Sequence, residues 1–273
     1  MSKFSADDDL HMYDDARPAL YFNRGNLKEG VLLLHGFSSS TEEFEYLLKE
    51  FQEKGISYYA PMLTGFGLTS FDLMYKVNAE DWLRDAVNAY DVLAGVVEKV
   101  NIIGHSTGSV LAAYVAQVRE VKNIIQIGPN FFSTKADELS KKLICNNFIF
   151  TIVQWLFPIT KKPVRPGRVT CCDTLDPVSA QNGVHYQAIS IKSVREMWEL
   201  TEKVCLEKMR FEKLTLIYGE NDITVNIKQL IDTLKAKEIR FNIFEIPNSA
   251  HNVLKDYGSK EAIKIICNLL DRE

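Results

Sequence analysis

Apolar residues along the chain gather into short blocks of two kinds that take turns. The first kind is a brief strand-like run, mostly apolar and often β-branched at residues 31–34, 100–103, 123–128 and 214–219, and with polar residues mixed in at 56–60 and 240–246. Such runs suit strands buried on both sides in a parallel sheet. The second kind repeats at intervals of three and four. Phe44, Leu47, Leu48 and Phe51 make one stripe; Trp82, Ala86, Ala89, Tyr90 and Leu93 make another. These spacings predict helices over residues 41–54 and 79–97. Further helices are predicted after residue 106, over 226–237 and over 259–270. The punctuation agrees: Ser40 stands three residues before Glu43 in capping-box spacing, Gly55 stops the first helix, and Asn78 caps the second. Strand and helix alternating in this way predict an α/β fold, a mostly parallel central sheet with helices on both faces.

Between residues 130 and 209 the alternation stops. That stretch is irregular, aromatic and locally basic, with no clear strand. The expected organisation is therefore a core made of residues 1–129 and 210–273, with 130–209 inserted as a helical cap over the sheet. Residues 148–157 are apolar nearly all round and too short to span a bilayer. They read as a helix packed on the core, or as an acyl-binding wall or lid that opens at a lipid surface. Lys161, Lys162, Arg165 and Arg168 follow among Pro163, Pro166 and Gly167. A run of this kind is a solvated loop, or else it touches anionic lipid or an acidic group of a substrate.

Composition narrows the function classes. The 273 residues are 46% hydrophobic and 25% charged with a net charge of -4, ordinary for a globular domain and without a basic field for nucleic acid. The N-terminal stretch is acidic and lacks the apolar region of a secretory signal. Five cysteines show no metal-ligand spacing. Reduced thiols in a cytoplasmic protein, with Cys171 and Cys172 adjacent by chance, are the expectation. Neither a metal nor another cofactor is expected.

The chemistry centres on Gly104-His105-Ser106-Thr107-Gly108, which fits G-x-S-x-G. A strand precedes it and an alanine-rich helix follows, so the serine sits on a sharp turn that exposes its hydroxyl. A serine hydroxyl needs a base, and the base needs a carboxylate to orient it. In open parallel sheets such groups gather at the carboxyl ends of strands. Asp222 follows the strand ending at Gly219, and His251 follows the strand ending at Ile246. Asp222 is preferred as the acid, with Glu220 and Asp176 as rivals. Among the histidines His251 is preferred. His105 diverges from the hydroxyl, His35 precedes a glycine turn, His185 lies in the cap and His11 in the acidic leader. Backbone N–H groups of Thr107 and Phe37 are the candidates for binding an oxyanion.

The segments HGFSSS, PMLTGFG, AEDWLRDA, GHSTG, GENDITV and NSAHNVL together resemble the α/β-hydrolase superfamily, and within it the carboxylesterase and monoacylglycerol-lipase-like branch that overlaps with serine aminopeptidase-like hydrolases. The resemblance covers residues 31–129 and 210–271. It implies Ser106 as nucleophile, Asp222 as acid, His251 as base, and Phe37 and Thr107 as oxyanion donors. Where that branch commonly has glycine-histidine-glycine, this chain has Gly65-Phe66-Gly67. The expected substrate is a small-molecule ester with a medium to long acyl chain, or a monoacylglycerol, with weak membrane-surface contact through the cap. His35, His105, Phe66, Phe148, Trp155 and His185 are the candidates for lining its pocket. The alternatives are an amide or peptide hydrolase, an acyltransferase with the same residues, or a non-catalytic ligand-binding protein on this fold.

Overall fold

In β2 (Glu29–Leu34) successive side chains serve opposite faces of a sheet. Leu32 and Leu34 join one apolar cluster, while Val31 and Leu33 join the other. The same division runs through β4 (Lys99–His105), where Ile102 and Ile103 part, and β5 (Val121–Ile127), where Ile124 and Ile125 part. The computed structural model describes residues 16–68, 74–183 and 186–271. Its remaining strands in the main sheet are β1 (Ala19–Tyr21), β3 (Ser57–Ala60), β8 (Phe211–Gly219) and β9 (Asn242–Ile246). The order is β1-β3-β2-β4-β5-β8-β9. Every pairing is parallel except β1 on β3, which is antiparallel with Ala19 opposite Ala60. Because β2, β4, β5, β8 and β9 all run one way, Leu34, His105, Ile127, Gly219 and Ile246 end along one edge. Functional loops leave from that edge.

Helices cover both faces, as the alternation predicts. Helix α1 (Glu45–Glu53) and α9 (Ser259–Leu270) share a cluster with Val31, Leu33, Ile103 and Ile125. Helix α2 (Ala79–Ala94), α3 (Thr107–Val118) and α8 (Ile227–Ala236) cover the face of Leu32, Ile102 and Ile124. Each fully buried leucine or isoleucine contributes about 1.5–3 kcal/mol relative to an exposed one. The cap of α2 is as expected: the Asn78 N–H donates to the Asp81 carboxylate at 2.9 Å. The first helix differs. Residues Thr41–Phe44 form a 3-10 turn ahead of α1, and Ser40 Oγ accepts from the Glu42 N–H. Glu43 does not complete the capping box; its carboxylate turns inward to the loop after β2. Edge strand β1, which the sequence pattern left unassigned, follows the acidic leader and is too short to show a period.

Between β5 and β8 lie α4 (Lys135–Ile144), α5 (Asn147–Leu156), α6 (Pro177–Asn182) and α7 (Ile191–Glu202). Two short strands occur here as well. Strand β6 (Ile159–Lys161) pairs antiparallel with β7 (Ala188–Ser190), a long-range pairing that local hydrophobic pattern cannot announce. Helix α7 ties into the sheet layers, since Glu196 accepts from the Ala79 N–H at the start of α2. The Tyr186 hydroxyl likewise brackets Leu68, accepting from its N–H at 2.7 Å and donating to its carbonyl at 2.6 Å. Helix α5 corrects the expectation of a packed helix. None of its residues is buried, and Phe148 and Trp155 are 76% and 81% exposed.

Two glycines permit the turn from β4 into α3. A Cβ on Gly108 would lie 1.9 Å from the Leu34 carbonyl oxygen, and one on Gly104 would lie 2.3 Å from that of Gly108. Both obstacles are backbone and cannot swing aside. Gly108→Ala is therefore expected to lower the free energy of unfolding by about 3 kcal/mol or more, read as a reduced urea midpoint at unchanged slope. A midpoint within error of the parent would show that the turn relaxes freely.

Candidate active site

Ser106 sits between β4 and α3 with φ 53° and ψ -117°, a combination that non-glycine residues avoid. Such a backbone costs on the order of 1–3 kcal/mol and persists where surrounding bonds over-determine it. Here the Ser106 N–H donates to the Ile127 carbonyl at 2.8 Å, and its own carbonyl accepts from Ser109 and Asn130. The turn places the side chain at the N-terminus of α3, where the first amides lack intrahelical acceptors. Thr107 contributes the first of these amides.

Strands β8 and β9 bring the second pair of residues. His251 Nδ1 lies 2.8 Å from Asp222 Oδ2. The Asp222 carboxylate also accepts from the N–H groups of Thr224 and Val225. Burial pushes its pKa up, but the His251 ring and these amides outweigh burial and hold it below the ordinary value. Gly128, at φ 50°, passes close beneath: a Cβ there would fall 2.9 Å from the imidazole of His251. The loop carrying His251 is fastened by Asp256, which accepts from the Ala250 N–H at 2.8 Å and the Leu175 N–H at 2.9 Å.

A further buried charge lies beneath the elbow, at Glu43. Its Oε1 accepts from the Gly36 N–H at 3.0 Å, and its Oε2 accepts from the Ser39 hydroxyl at 2.6 Å. His105 Nδ1 stands 3.0 Å from the same Oε2, off the line of a well-directed hydrogen bond. His105 Nε2 donates to the carbonyl of His251 at 3.1 Å. Burial lowers the His105 pKa and raises that of Glu43. Their mutual attraction reverses both, leaving His105 raised and Glu43 lowered, as suits an imidazolium–carboxylate pair. His35 is different. Its Nδ1 donates to the Gly36 carbonyl and its Nε2 accepts from the Leu63 N–H, which requires the neutral ring, and burial lowers its pKa.

These groups meet at a cavity of about 410 Å³. Ser106, His251, Phe37 and His105 line it, so the structure gathers four of the residues singled out above. Asp222 stands behind His251. The Phe37 ring packs edge-on against Phe66 at 5.4 Å and Trp82 at 6.0 Å, which seats the loop after β2. Four of the six pocket candidates lie elsewhere. His35 and Phe66 are buried under the loops and support them from behind. Phe148 and Trp155 face away on α5, because a segment apolar nearly all round carries little signal for which face turns inward. His185 lies outside the described residues. The apolar wall is instead made by Ile144, Ile189, Ile191, Val194, Met197 and Trp198, and the basic side by Lys161, Lys162 and Arg165. Of these two sides, only the basic one carries a signal in the sequence. Glu43 was hidden by a spacing that serves a helix cap equally well.

A seven-stranded, mostly parallel sheet with a strained serine elbow and an aspartate–histidine pair at its carboxyl edge defines an α/β-hydrolase. Residues 25–257 match the model of the family described as serine aminopeptidase, S33, and the chain belongs to that family. A carboxylesterase of Bacillus subtilis (strain 168) is 29% identical over 98 residues, which are 36% of this chain and 39% of that protein. A thermostable monoacylglycerol lipase of Bacillus sp. (strain H-257) is 28% identical over 88 residues, 32% of this chain and 35% of that protein. The chain thus matches less than half the length of these relatives. The crystal structure of the Paleococcus ferrophilus monoacylglycerol lipase superposes with a TM-score of 0.73 at 17% identity, covering 96% of this chain and 98% of that one. That likeness is one of fold.

The buried pair makes a pH-dependent prediction. A raised pKa for folded His105 means that its share of stability is complete below about pH 6.5 and is lost as pH rises through the folded value. Glu43→Gln is expected to destabilise the protein more at pH 6 than at pH 9, measured by urea unfolding of both proteins at each pH. An equal loss at the two pH values would show that His105 is neutral throughout.

Proposed function

We propose that the protein is a serine hydrolase of carboxylic esters with an apolar acyl chain. The observation that carries this reading is the His251–Asp222 contact of 2.8 Å beside Ser106 in one cavity. In this mechanism Ser106 Oγ attacks the ester carbonyl while His251 Nε2 takes its proton. Asp222 keeps the proton on Nδ1 and stabilises the imidazolium that forms. The developing oxyanion is held by the N–H groups of Phe37 and Thr107. His251 then passes its proton to the leaving alcohol, and an acyl-Ser106 ester remains. Water deprotonated by His251 attacks that ester and releases the acid. Five unpaired cysteines are compatible with a reducing compartment such as the cytoplasm. Among the described residues no helix is long and apolar enough to cross a membrane. The exposed Phe148 and Trp155 on α5 support contact with aggregated lipid.

The family description names a peptidase, and the cavity lining supports the ester reading over that one. Recognition of a free amino terminus needs an available carboxylate. The acids lining this cavity are engaged: Glu43 as described, Asp137 by Arg165, and Asp173 by Arg168 and Thr224.

Ser106→Ala is expected to reduce hydrolysis of p-nitrophenyl esters by roughly 10⁴-fold or more with an unchanged circular dichroism spectrum. An alkyl phosphonate probe should label the parent at Ser106 and leave the variant unlabelled. Retained turnover in the variant would remove Ser106 from the role of nucleophile.

A further inference from the structure

The cavity over Ser106 has an apolar side and a cationic side, and its cations are held differently. Arg165 donates to the Asp137 carboxylate at 2.9 and 3.3 Å, so its charge is answered in place. Lys162 has no such partner. Its Nζ donates to Ser38 Oγ at 2.9 Å, and among the described residues no carboxylate pairs with it. The nearby polar groups are the thiols of Cys171 and Cys172, and burial pushes the Lys162 pKa down. The acids of the cavity cannot serve it, because Glu43, Asp137 and Asp173 are already bonded to other groups. An ammonium taken out of water without a counter-charge is costly, and a bound anion removes that cost. Its position adds a constraint. Ser38 follows Phe37 directly and is itself held at φ 54°. An anion reaching Lys162 would therefore sit within a few bonds of a carbonyl held at the Phe37 amide.

We propose that Lys162 anchors an anionic group of the substrate, a carboxylate or a phosphate, in an ester whose apolar chain lies along Ile189, Ile191 and Val194. The proposal rests on the ester-hydrolase reading and names the substrate class for that site: an acidic ester rather than a neutral one. Lys162 has a competing role in which it only steadies the loop through Ser38. The two differ in what they do to substrate preference.

Two matched pairs of esters test it. Mono-p-nitrophenyl adipate against p-nitrophenyl hexanoate places the charge on the acyl side. A monoacylglycerol phosphate against its monoacylglycerol places it on the alcohol side. The parent is expected to favour the acidic member of one pair in kcat/KM, and the pair that responds identifies carboxylate or phosphate. Lys162→Met should cut that acidic-to-neutral ratio roughly ten- to a hundred-fold, mainly through KM. Lys162→Arg should keep most of the ratio, and so should Ser38→Ala, which removes the loop bond and leaves the ammonium. A parent that shows no acidic preference in either pair overturns the proposal while the esterase reading stands. Equal losses on acidic and neutral esters in Lys162→Met also overturn it, in favour of the loop-steadying role. Should Lys162→Met not fold, loss of the preference in Ser38→Ala would overturn it equally. Inactivity on all four esters would overturn the esterase reading and the proposal with it.

Discussion

The backbone of Ser106 is held where serine does not settle by itself, and much of the architecture follows from that. A strand that turns into a helix within one residue needs its neighbours to come within contact of other backbone, which only Gly104 and Gly108 allow. The strain has to be carried by something stiffer than the turn. That is the sheet: the Ser106 N–H donates to Ile127 on the next strand, and Ser109 Oγ bonds the Gly104 carbonyl. Core packing beneath α3 is complete from Val110 to Ala113, so the helix cannot back away to relieve the turn. What emerges is a hydroxyl that reaches the cavity while its backbone stays fixed.

Charge is then arranged around that fixed point in two buried pairs that share His251. Asp222 faces its ring, and His105 donates to its backbone carbonyl. The second pair, Glu43 with His105, also holds the loop of Gly36 and Ser39. One carboxylate thus couples the loop after β2 to the loop after β9 through a single histidine, His105. Buried ions would be expensive without partners, and each here has several. Position, more than net stability, is what such a network supplies.

The segment between β5 and β8 fills in the other half of the cavity. Strand β7 and α7 give it an apolar wall, and the end of β6 delivers Lys161 and Lys162 to the opposite side. It attaches to the sheet layers by apolar packing, since Tyr186, Ile189, Val194 and Leu200 share the cluster of Leu32 and Trp82, and by specific polar bonds: Tyr186 on Leu68, Glu196 on Ala79, Lys162 on Ser38. Helix α5 contributes no lining and leaves Phe148 and Trp155 in water. Lining and outer surface are therefore divided between different helices of the same segment.

Much of this was legible in the chain alone, where the physics is local. Strand and helix alternate because burial on both faces of a sheet demands runs such as 31–34 and stripes such as Trp82, Ala86 and Leu93, and both are visible at short range. The serine elbow could be read because a tight strand-to-helix turn needs glycine at fixed offsets. Asp222 and His251 could be picked out because parallel strands must end along one edge. The inward turn of Glu43 could not be read, since Ser40 and Glu43 satisfy a helix-cap spacing and only the nearness of His105 favours the other partner. Nor could the faces of α5, where apolar residues nearly all round leave orientation to distant contacts. Lys162 is the sharpest case. Its neighbours in sequence leave open a solvated basic loop, a contact with anionic lipid, or one with an acidic substrate group. The pairing of β6 with β7, across residues distant in the chain, carries it to Ser38 beside the elbow. Local pattern therefore determined the sheet and where its chemistry emerges, while long-range pairing alone decided which charges face that chemistry.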